Sequence, residues 1–130
     1  MPSSGGPNPS PPLLWTLNIS RDLRDGVAVL AVAGRLGKAS SGLFIESLDQ
    51  ELRAGRRRIL LDLEQVDYIS SAGLLALQTI AASVHESAGE LVFCCLSEPV
   101  RLALDLAGLM SAFAIETTRE GGLARLGARS

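Results

Sequence analysis

The 130-residue sequence is poor in histidine, in aromatic side chains and in any excess of basic charge. Its one histidine, His85, falls late in a predicted helix, roughly 20 Å from Ser71 at a rise of about 1.5 Å per residue. That serine therefore has no base with which to act as a nucleophile, and we expect His85 on the surface. The formal net charge of −2 excludes a broad basic field for nucleic acid or for an anionic membrane.

The chain also lacks the glycine-rich motifs that hold phosphates and the long apolar runs that cross membranes. Neither GxxxxGK[ST] nor GxGxxG occurs, so nucleotide binding is not predicted. No apolar run approaches the ~20 residues of a membrane-spanning helix. Residues 1–12 are rich in proline, glycine and serine and have no basic start, which predicts a disordered tail and not a signal peptide. We expect a cytoplasmic protein whose domain spans residues 13–130.

Cysteine is scarce as well, and the two cysteines present, Cys94 and Cys95, are adjacent. Neighbouring residues of a strand point to opposite faces of a sheet, which argues against a mutual disulfide and against shared metal binding. Two sulfurs and one distant histidine also do not complete a zinc site. We therefore expect two buried structural thiols, and we predict neither a metal site nor a cofactor.

Three carboxylates, Asp62, Glu64 and Asp67, come after a strongly apolar segment. The end of a central strand is where α/β sheets usually bind ligands, and a magnesium ion is one candidate. Without a phosphate-binding loop, the better interpretation is that these acids cap and solvate a connection. Because no nucleophile, base and orienting group come together, we predict that the chain is not an enzyme.

The sequence does contain an alternation of strand-like and helical segments. Two strands joined by the turn RDLRDG open it, and this turn favours an antiparallel pair. Helices and apolar strands then alternate, which indicates a mostly parallel α/β sheet. After the second strand, helices and strands are predicted in turn, beginning with a helix. These segments are SSGLFIESLDQELRAG, RRILLDLE, a helix from Ala72 to Ser87, ELVFCCL, SEPVRLALDLAG, AFAIE and REGGLARLG.

The segment DYISSAGL joins the central strand to the second helix. We expect Ser71 to cap this helix, accepting a hydrogen bond from a first-turn amide at about 1 kcal/mol. A hydroxyl in that position is also reachable by the active site of another protein. A phosphate there would lie at the positive end of the helix dipole, so the fold should tolerate it.

The helix has two predicted faces. The sheet-facing stripe is Leu74, Leu77, Ala81, Val84 and Ala88, and the outward positions near Ser71 are Ala72, Leu75, Ala76 and Thr79. An exposed leucine beside small residues indicates a contact patch. In the first helix, Leu43, Leu48 and Leu52 are predicted to form the apolar stripe.

Three segments in this order resemble the STAS domain of bacterial anti-sigma factor antagonists. They are VAGRLGKASSGLFIESLDQEL, ILLDLEQVDYISSAGLLAL and GELVFCCLSEPVRLALDLAGLMSAFAI, and the resemblance extends from about Trp15 to Leu126. It implies an α/β fold with a four- to five-stranded mixed β-sheet covered by about four α-helices.

The resemblance also implies a regulatory role. Such a protein, when unphosphorylated, captures a GHKL-type serine kinase that is also an anti-sigma factor. The kinase uses ATP to phosphorylate a serine at the start of the second helix, and a phosphoserine phosphatase reverses this. Aligning the motif on Gly73 and Leu74 places the phosphorylated serine at Ser71, with Ser70 the weaker candidate. Family members regulate transcription in the stress response or in sporulation.

We predict a partner-binding surface around Ser71. Its other members are Asp67, Tyr68, Ser70, Ala72, Gly73, Leu75, Thr79 and Gly37. Two of these depart from the family pattern, which often has an acid at the position of Ser70 and another at the position of Gly37. Gly37 thus lacks a charge that the resemblance implies the kinase contacts.

Other functions stay open at this point. One is a STAS subunit of a membrane lipid or anion transport assembly, and another is a STAS scaffold that binds without being phosphorylated. A small-ligand carrier is a third, although aromatic residues at 4% of the chain offer little to stack a flat ligand. The antiparallel edge strand also makes a homodimer possible. No nucleic acid and no membrane insertion are predicted.

Overall fold

The structure is a computed structural model that describes residues 17–127, and at its centre lies a five-stranded mixed sheet. The strands are β1 (Leu17–Arg24), β2 (Val27–Leu36), β3 (Arg58–Ile69), β4 (Glu90–Cys94) and β5 (Ala114–Glu116), side by side in chain order. The helices are α1 (Ser41–Arg53), α2 (Ser71–Glu86), α3 (Glu98–Leu106) and α4 (Arg119–Arg125), with a 3₁₀ turn at Met110–Ala112. The predicted mixed sheet with about four helices is confirmed, and the predicted tail, residues 1–12, lies outside the described residues.

The first two strands form the predicted antiparallel hairpin, and the remaining pairs of the sheet are parallel. Asp25 and Gly26 both have positive φ angles, 53° and 81°, in the two-residue connection. Such a turn matches the twist of the flanking strands. Arg58 donates hydrogen bonds to the carbonyl oxygens of Asp25 at 2.9 Å and Leu126 at 2.8 Å, and so ties the hairpin to the C-terminal helix.

Both faces of the sheet are covered. Helices α1, α2 and α3 pack on one face through Phe44, Leu77 and Leu104, whereas α4 packs on the other through Leu126. The central strand is therefore buried on both sides, as its apolar run predicted: Ile59, Leu60, Leu61 and Leu63 each have 0% exposure. Each such side chain contributes about 1.5–3 kcal/mol of burial free energy.

The central strand is longer than the sequence indicated. β3 runs to Ile69, and two register shifts against β2 turn its last third so that Val66 faces the core while Asp67 and Tyr68 face solvent. The expectation that Asp62, Glu64 and Asp67 lie in a loop after the strand was wrong, because all three lie within it.

Two apolar faces were also assigned imperfectly. In α1, Leu43 is exposed and its neighbour Phe44 enters the core. In α2, Ala76 is buried, although it was predicted to face outward. Ala88, which was predicted to face the sheet, is exposed and lies beyond the end of the helix, with a φ of 61°. The predicted stripes are confirmed at Leu48 in α1 and at Leu77 and Val84 in α2, which are buried.

Within residues 17–127, none of the helices combines the length and the apolar character needed to cross a membrane.

Candidate functional site

The serine pair divides into a capping residue and a free residue. Ser70 is the N-cap of α2, with extended backbone angles, and its hydroxyl accepts a hydrogen bond from the N–H of Gly73 at 3.3 Å. Ser71 is the first helical residue. The prediction that Ser71 caps the helix was therefore wrong, because the helix begins one residue earlier than the sequence indicated.

The start of α2 is anchored on the end of β2. The N–H of Ser70 donates to the carbonyl oxygen of Leu36 at 3.1 Å, which continues the pairing of the two strands. A Cβ on Gly73 would lie 2.3 Å from the same oxygen. The first turn thus approaches β2 so closely that only glycine fits, and this approach fixes the direction in which Ser71 points.

Ser71 is exposed, and its hydroxyl makes no hydrogen bond to any described residue. The backbone N–H groups of Ser71 and Ala72 likewise find no acceptor within residues 17–127. They are the orphan donors that every helix start leaves. Together with the helix dipole, they favour negative charge beside the Ser71 side chain.

A shallow pocket of about 160 Å³ adjoins the serine pair. Its lining residues are Arg35, Gly37, Lys38, Ala39, Ser40 and Tyr68. The guanidinium carbon of Arg35 lies 4.0 Å from the centroid of the Tyr68 ring, and Lys38 is exposed. This side of the site therefore carries cationic groups and an aromatic ring.

Gly37 lies directly against the serine pair. A Cβ at this position would be 3.3 Å from Ser70 Oγ and 3.4 Å from the Tyr68 ring. The side chain of Ser40 accepts from the N–H of Gly37 at 3.0 Å and donates to the Arg35 carbonyl at 2.6 Å, which holds the turn. An acid in place of Gly37 would thus begin beside Ser70, so its absence makes this rim less negative.

The predicted partner-binding residues are not equally accessible. Leu75 is 62% exposed and Tyr68 is 40% exposed, and Thr79 and Asp67 are also exposed. Ser70 and Ala72 are half-buried, whereas Gly37 and Gly73 are buried and shape the site from beneath. The sequence interpretation missed Arg35 and Lys38, since only the parallel register reveals that the end of β2 lies beside the end of β3.

A second polar cluster lies elsewhere on the sheet. Asp62 and Cys94 are paired in the register of β3 and β4. Cys95 follows the end of β4 with a φ of 58°, which turns its side chain toward theirs, and one ligand atom from each residue lies within 4.8 Å of the others. The expectation that the two thiols point apart was wrong, because the strand ends between them. Both cysteines are free thiols.

His85 is exposed, as expected, and the basic run between α1 and β3 is structural. Arg57 donates to the Leu52 carbonyl at the end of α1 at 2.9 Å, and Arg58 fastens the hairpin as described above. Through these contacts the run satisfies backbone carbonyls at the C-terminus of α1 and in the hairpin.

Comparison with known proteins gives a consistent family. The profile that describes the STAS domain matches residues 18–121 of this chain. BtrV of Bordetella bronchiseptica, proposed to be an anti-sigma factor antagonist, is 32% identical over 108 residues, which cover 83% of this chain and 93% of BtrV.

Solved structures show the same fold. A proposed anti-sigma factor antagonist from Thermotoga maritima has a TM-score of 0.78 and 24% identity, over 84% of this chain and 94% of that one. The phosphorylated form of the Bacillus cell fate determinant SpoIIAA has a TM-score of 0.63 and 16% identity, over 85% of this chain and 99% of that one. At these identities the likeness concerns the fold.

Proposed function

The chain belongs to the STAS domain family, and from this premise we propose that it is an anti-sigma factor antagonist switched by phosphorylation of Ser71. In its unphosphorylated form it binds a GHKL-type anti-sigma serine kinase, which frees the sigma factor. The observation that carries the proposal is the exposed, unbonded Ser71 hydroxyl at the first position of α2. The name of BtrV supports the antagonist role.

Phosphorylation would end binding by charge and bulk without refolding the domain. A phosphate adds about −1.5 to −2 charges, and the orphan amides of Ser71 and Ala72 with the helix dipole stabilise that charge. Leu75 and Tyr68, which are exposed near Ser71, form the proposed contact surface, and a phosphate on Ser71 would prevent a partner from packing against it. SpoIIAA, which shares this fold, occurs in both unphosphorylated and phosphorylated forms, which supports the view that the scaffold tolerates the modification.

The chemistry of the switch belongs to the partners. The kinase supplies ATP and magnesium, and a phosphoserine phosphatase removes the phosphate, so this chain acts in the cytoplasm as a substrate and a ligand and not as an enzyme. Ser70 is half-buried and its hydroxyl is engaged with Gly73, which favours Ser71 as the acceptor. Ser70 and Gly37 occupy two positions that are often acidic in the family. Asp67 is exposed near the site and supplies an acid for the kinase to contact.

The test is a titration of the protein with a purified GHKL-type anti-sigma kinase, by calorimetry in the absence of ATP. We expect binding by the natural chain and a loss of at least ~100-fold in affinity for Ser71→Asp, with little change in melting temperature. Ser111→Asp is the matched control, since Ser111 is exposed in the 3₁₀ turn and should leave the affinity unchanged.

Equal affinity of the natural chain and Ser71→Asp would contradict the switch and favour a scaffold that is not regulated by phosphorylation. Absence of binding to any such kinase, with co-purification of a transport protein instead, would favour the transporter-associated alternative.

A further inference from the structure

The polar cluster of Asp62, Cys94 and Cys95 lies on the face of the sheet that α4 covers. Cys94 belongs to the apolar cluster on that face, with Leu60 and Leu126. Asp62 and Cys94 are buried and Cys95 is half-buried, and their ligand atoms lie within 4.8 Å of one another. Burial alone does not mark this cluster, because Arg119 compensates Asp62 and buried thiols behave as small apolar groups. What marks it is that three metal-ligating side chains converge beside an open pocket.

We propose that Asp62, Cys94 and Cys95 form a binding site for one thiophilic divalent cation of the Zn²⁺ class. Zinc binds thiolate sulfur at about 2.3 Å and carboxylate oxygen at about 2.0–2.2 Å. Tetrahedral ligands at such distances are about 3.6–3.8 Å apart, so the cluster, whose ligand atoms lie within 4.8 Å of one another, needs a contraction of at most about 1.2 Å. The left-handed backbone at Cys95 makes this possible, since it brings two consecutive sulfurs to the same side.

The carboxylate is already oriented by neighbours. Arg119 donates to Asp62 Oδ2 from Nη2 at 2.7 Å and from Nε at 3.1 Å, and the N–H of Glu64 donates to Oδ1 at 3.0 Å. Arg119 engages both lone pairs of Oδ2, whereas Oδ1 keeps its second lone pair for a metal. Hydrogen bonds of this kind to a ligating group are typical of metal sites, where they fix the ligand and its charge.

The cluster also opens to solvent. Asp62 and Cys95 line a pocket of about 650 Å³ whose other walls include Glu64, Thr118 and Glu120. The cation can enter by this route, and its fourth ligand is a water molecule from the pocket. Each thiol releases its proton to solvent as its sulfur forms a bond to the cation, and no electrons are transferred. The cation then compensates the thiolates in a layer that otherwise disfavours them.

The experiment uses the reduced, metal-free full chain with Zn²⁺ and Cd²⁺ as probes. We expect one ion per chain by competition with a chromophoric chelator, together with an ultraviolet thiolate-to-cadmium charge-transfer band. Cys95→Ser should weaken binding at least ~100-fold and abolish the band, because it removes a ligand. His85→Ala is the control, since His85 is an exposed imidazole that does not belong to the cluster and should not affect binding.

A second measurement needs no variant. Zn²⁺ should protect Cys95 from alkylation by iodoacetamide in the natural chain, as read by mass spectrometry. One ion shared by two chains, no charge-transfer band, no protection, or binding that survives Cys95→Ser would overturn the proposal.

This inference does not rest on the proposed function. Asp62 and Ile69, the last residue of β3 before the serine pair, are seven residues apart along the extended strand, roughly 23 Å at about 3.3 Å per residue. Kinase binding and Ser71 phosphorylation, measured with magnesium in excess and a chelator selective for zinc, should therefore be the same in Cys95→Ser as in the natural chain. Failure of one proposal leaves the other standing.

Discussion

Ser70 and Ser71 are adjacent and chemically identical, yet their positions give them different tasks. The Ser70 hydroxyl accepts from Gly73 and closes the first turn, whereas the Ser71 hydroxyl faces solvent. A phosphate on Ser70 would remove the cap, and one on Ser71 would not. The motif predicted a phosphorylated serine at the start of a helix. Only the location of the first helical residue distinguishes the capping serine, Ser70, from the proposed phosphate acceptor, Ser71.

Replacing the cap should reduce stability and leave the switch intact. We expect Ser70→Ala to lower the free energy of unfolding by about 1 kcal/mol, since a first-turn donor loses its side-chain acceptor. Urea denaturation measures this loss, and Ser97→Ala, which removes the cap of α3, provides a comparison of the same kind. Phosphorylation by the kinase should continue in both variants. Its loss in Ser70→Ala alone would show that the phosphate is attached to Ser70 and not to Ser71.

The exposed leucine beside Ser71 tests the docking surface. Leu75→Glu should weaken kinase binding by at least ~10-fold while leaving the melting temperature nearly unchanged, because the side chain is 62% exposed and off the core. Leu106→Glu is the control, since Leu106 is 80% exposed on α3. Calorimetry and thermal melting of the same samples decide the matter. A parallel loss of affinity and stability, or an equal loss of affinity in the control, would count against this surface.

At the scale of elements, the site depends on how α2 meets β2. The Leu36 carbonyl accepts from Ser70, and Gly73 passes so near it that a Cβ would be 2.3 Å from the oxygen. A backbone carbonyl cannot move aside as a flexible side chain does. The first turn of α2, and with it Ser71, is therefore held by backbone contacts and not by the partner-facing side chains.

A methyl group at this contact should be costly. We expect Gly73→Ala to destabilise the fold by about 1–3 kcal/mol through overpacking, although alanine is the better helix former. Gly42→Ala is the matched control, because a Cβ there meets nothing within 4 Å, and about 1 kcal/mol of stabilisation is expected from helix propensity. Denaturant midpoints report both changes, and stabilisation by Gly73→Ala would show that the helix start is looser than the structure indicates.

The elements themselves were largely predictable from the sequence. The antiparallel hairpin, the doubly buried β3 and the capped α3 all follow from local patterns. The end of β3 did not, since its polar residues from Glu64 to Tyr68 look like a loop until pairing with β2 accounts for them. Periodicity also did not predict that Phe44 and Ala76 are buried or that the two thiols lie close together, since these features depend on tertiary geometry.

At the scale of the whole molecule, the two proposed sites belong to different parts of the sheet. One face carries the three helices that form most of the core, and α2 among them presents Ser71. The other carries α4, whose first residue, Arg119, pairs with the buried Asp62. The proposed partner surface and the thiol cluster thus lie at different positions along one central strand.

The buried thiols should make stability depend on alkaline pH. Burial raises the pKa of the Cys94 thiol above its ordinary value, with a hydrogen bond to Cys95 adding to the effect, and burial also raises the pKa of Cys95. The folded chain then holds these protons to a higher pH than the unfolded chain, where thiols ionise near about 8.5. Their contribution is complete below that pH and is lost as pH rises, by up to about 1.4 kcal/mol per unit for each thiol.

Urea denaturation between pH 7 and 10, with a chelator present, measures this dependence. Cys94→Ala should flatten the alkaline decline relative to the natural chain. The same slope in both proteins would show that other groups cause it.

The central claim is that Ser71 is the phosphorylated residue, and fragment mass spectrometry after incubation with the cognate kinase and ATP tests it most directly. We expect one phosphate per chain, located on Ser71, absent from Ser71→Ala and retained in Ser70→Ala. A phosphate on another residue, or none on a chain that the kinase demonstrably binds, would contradict the account.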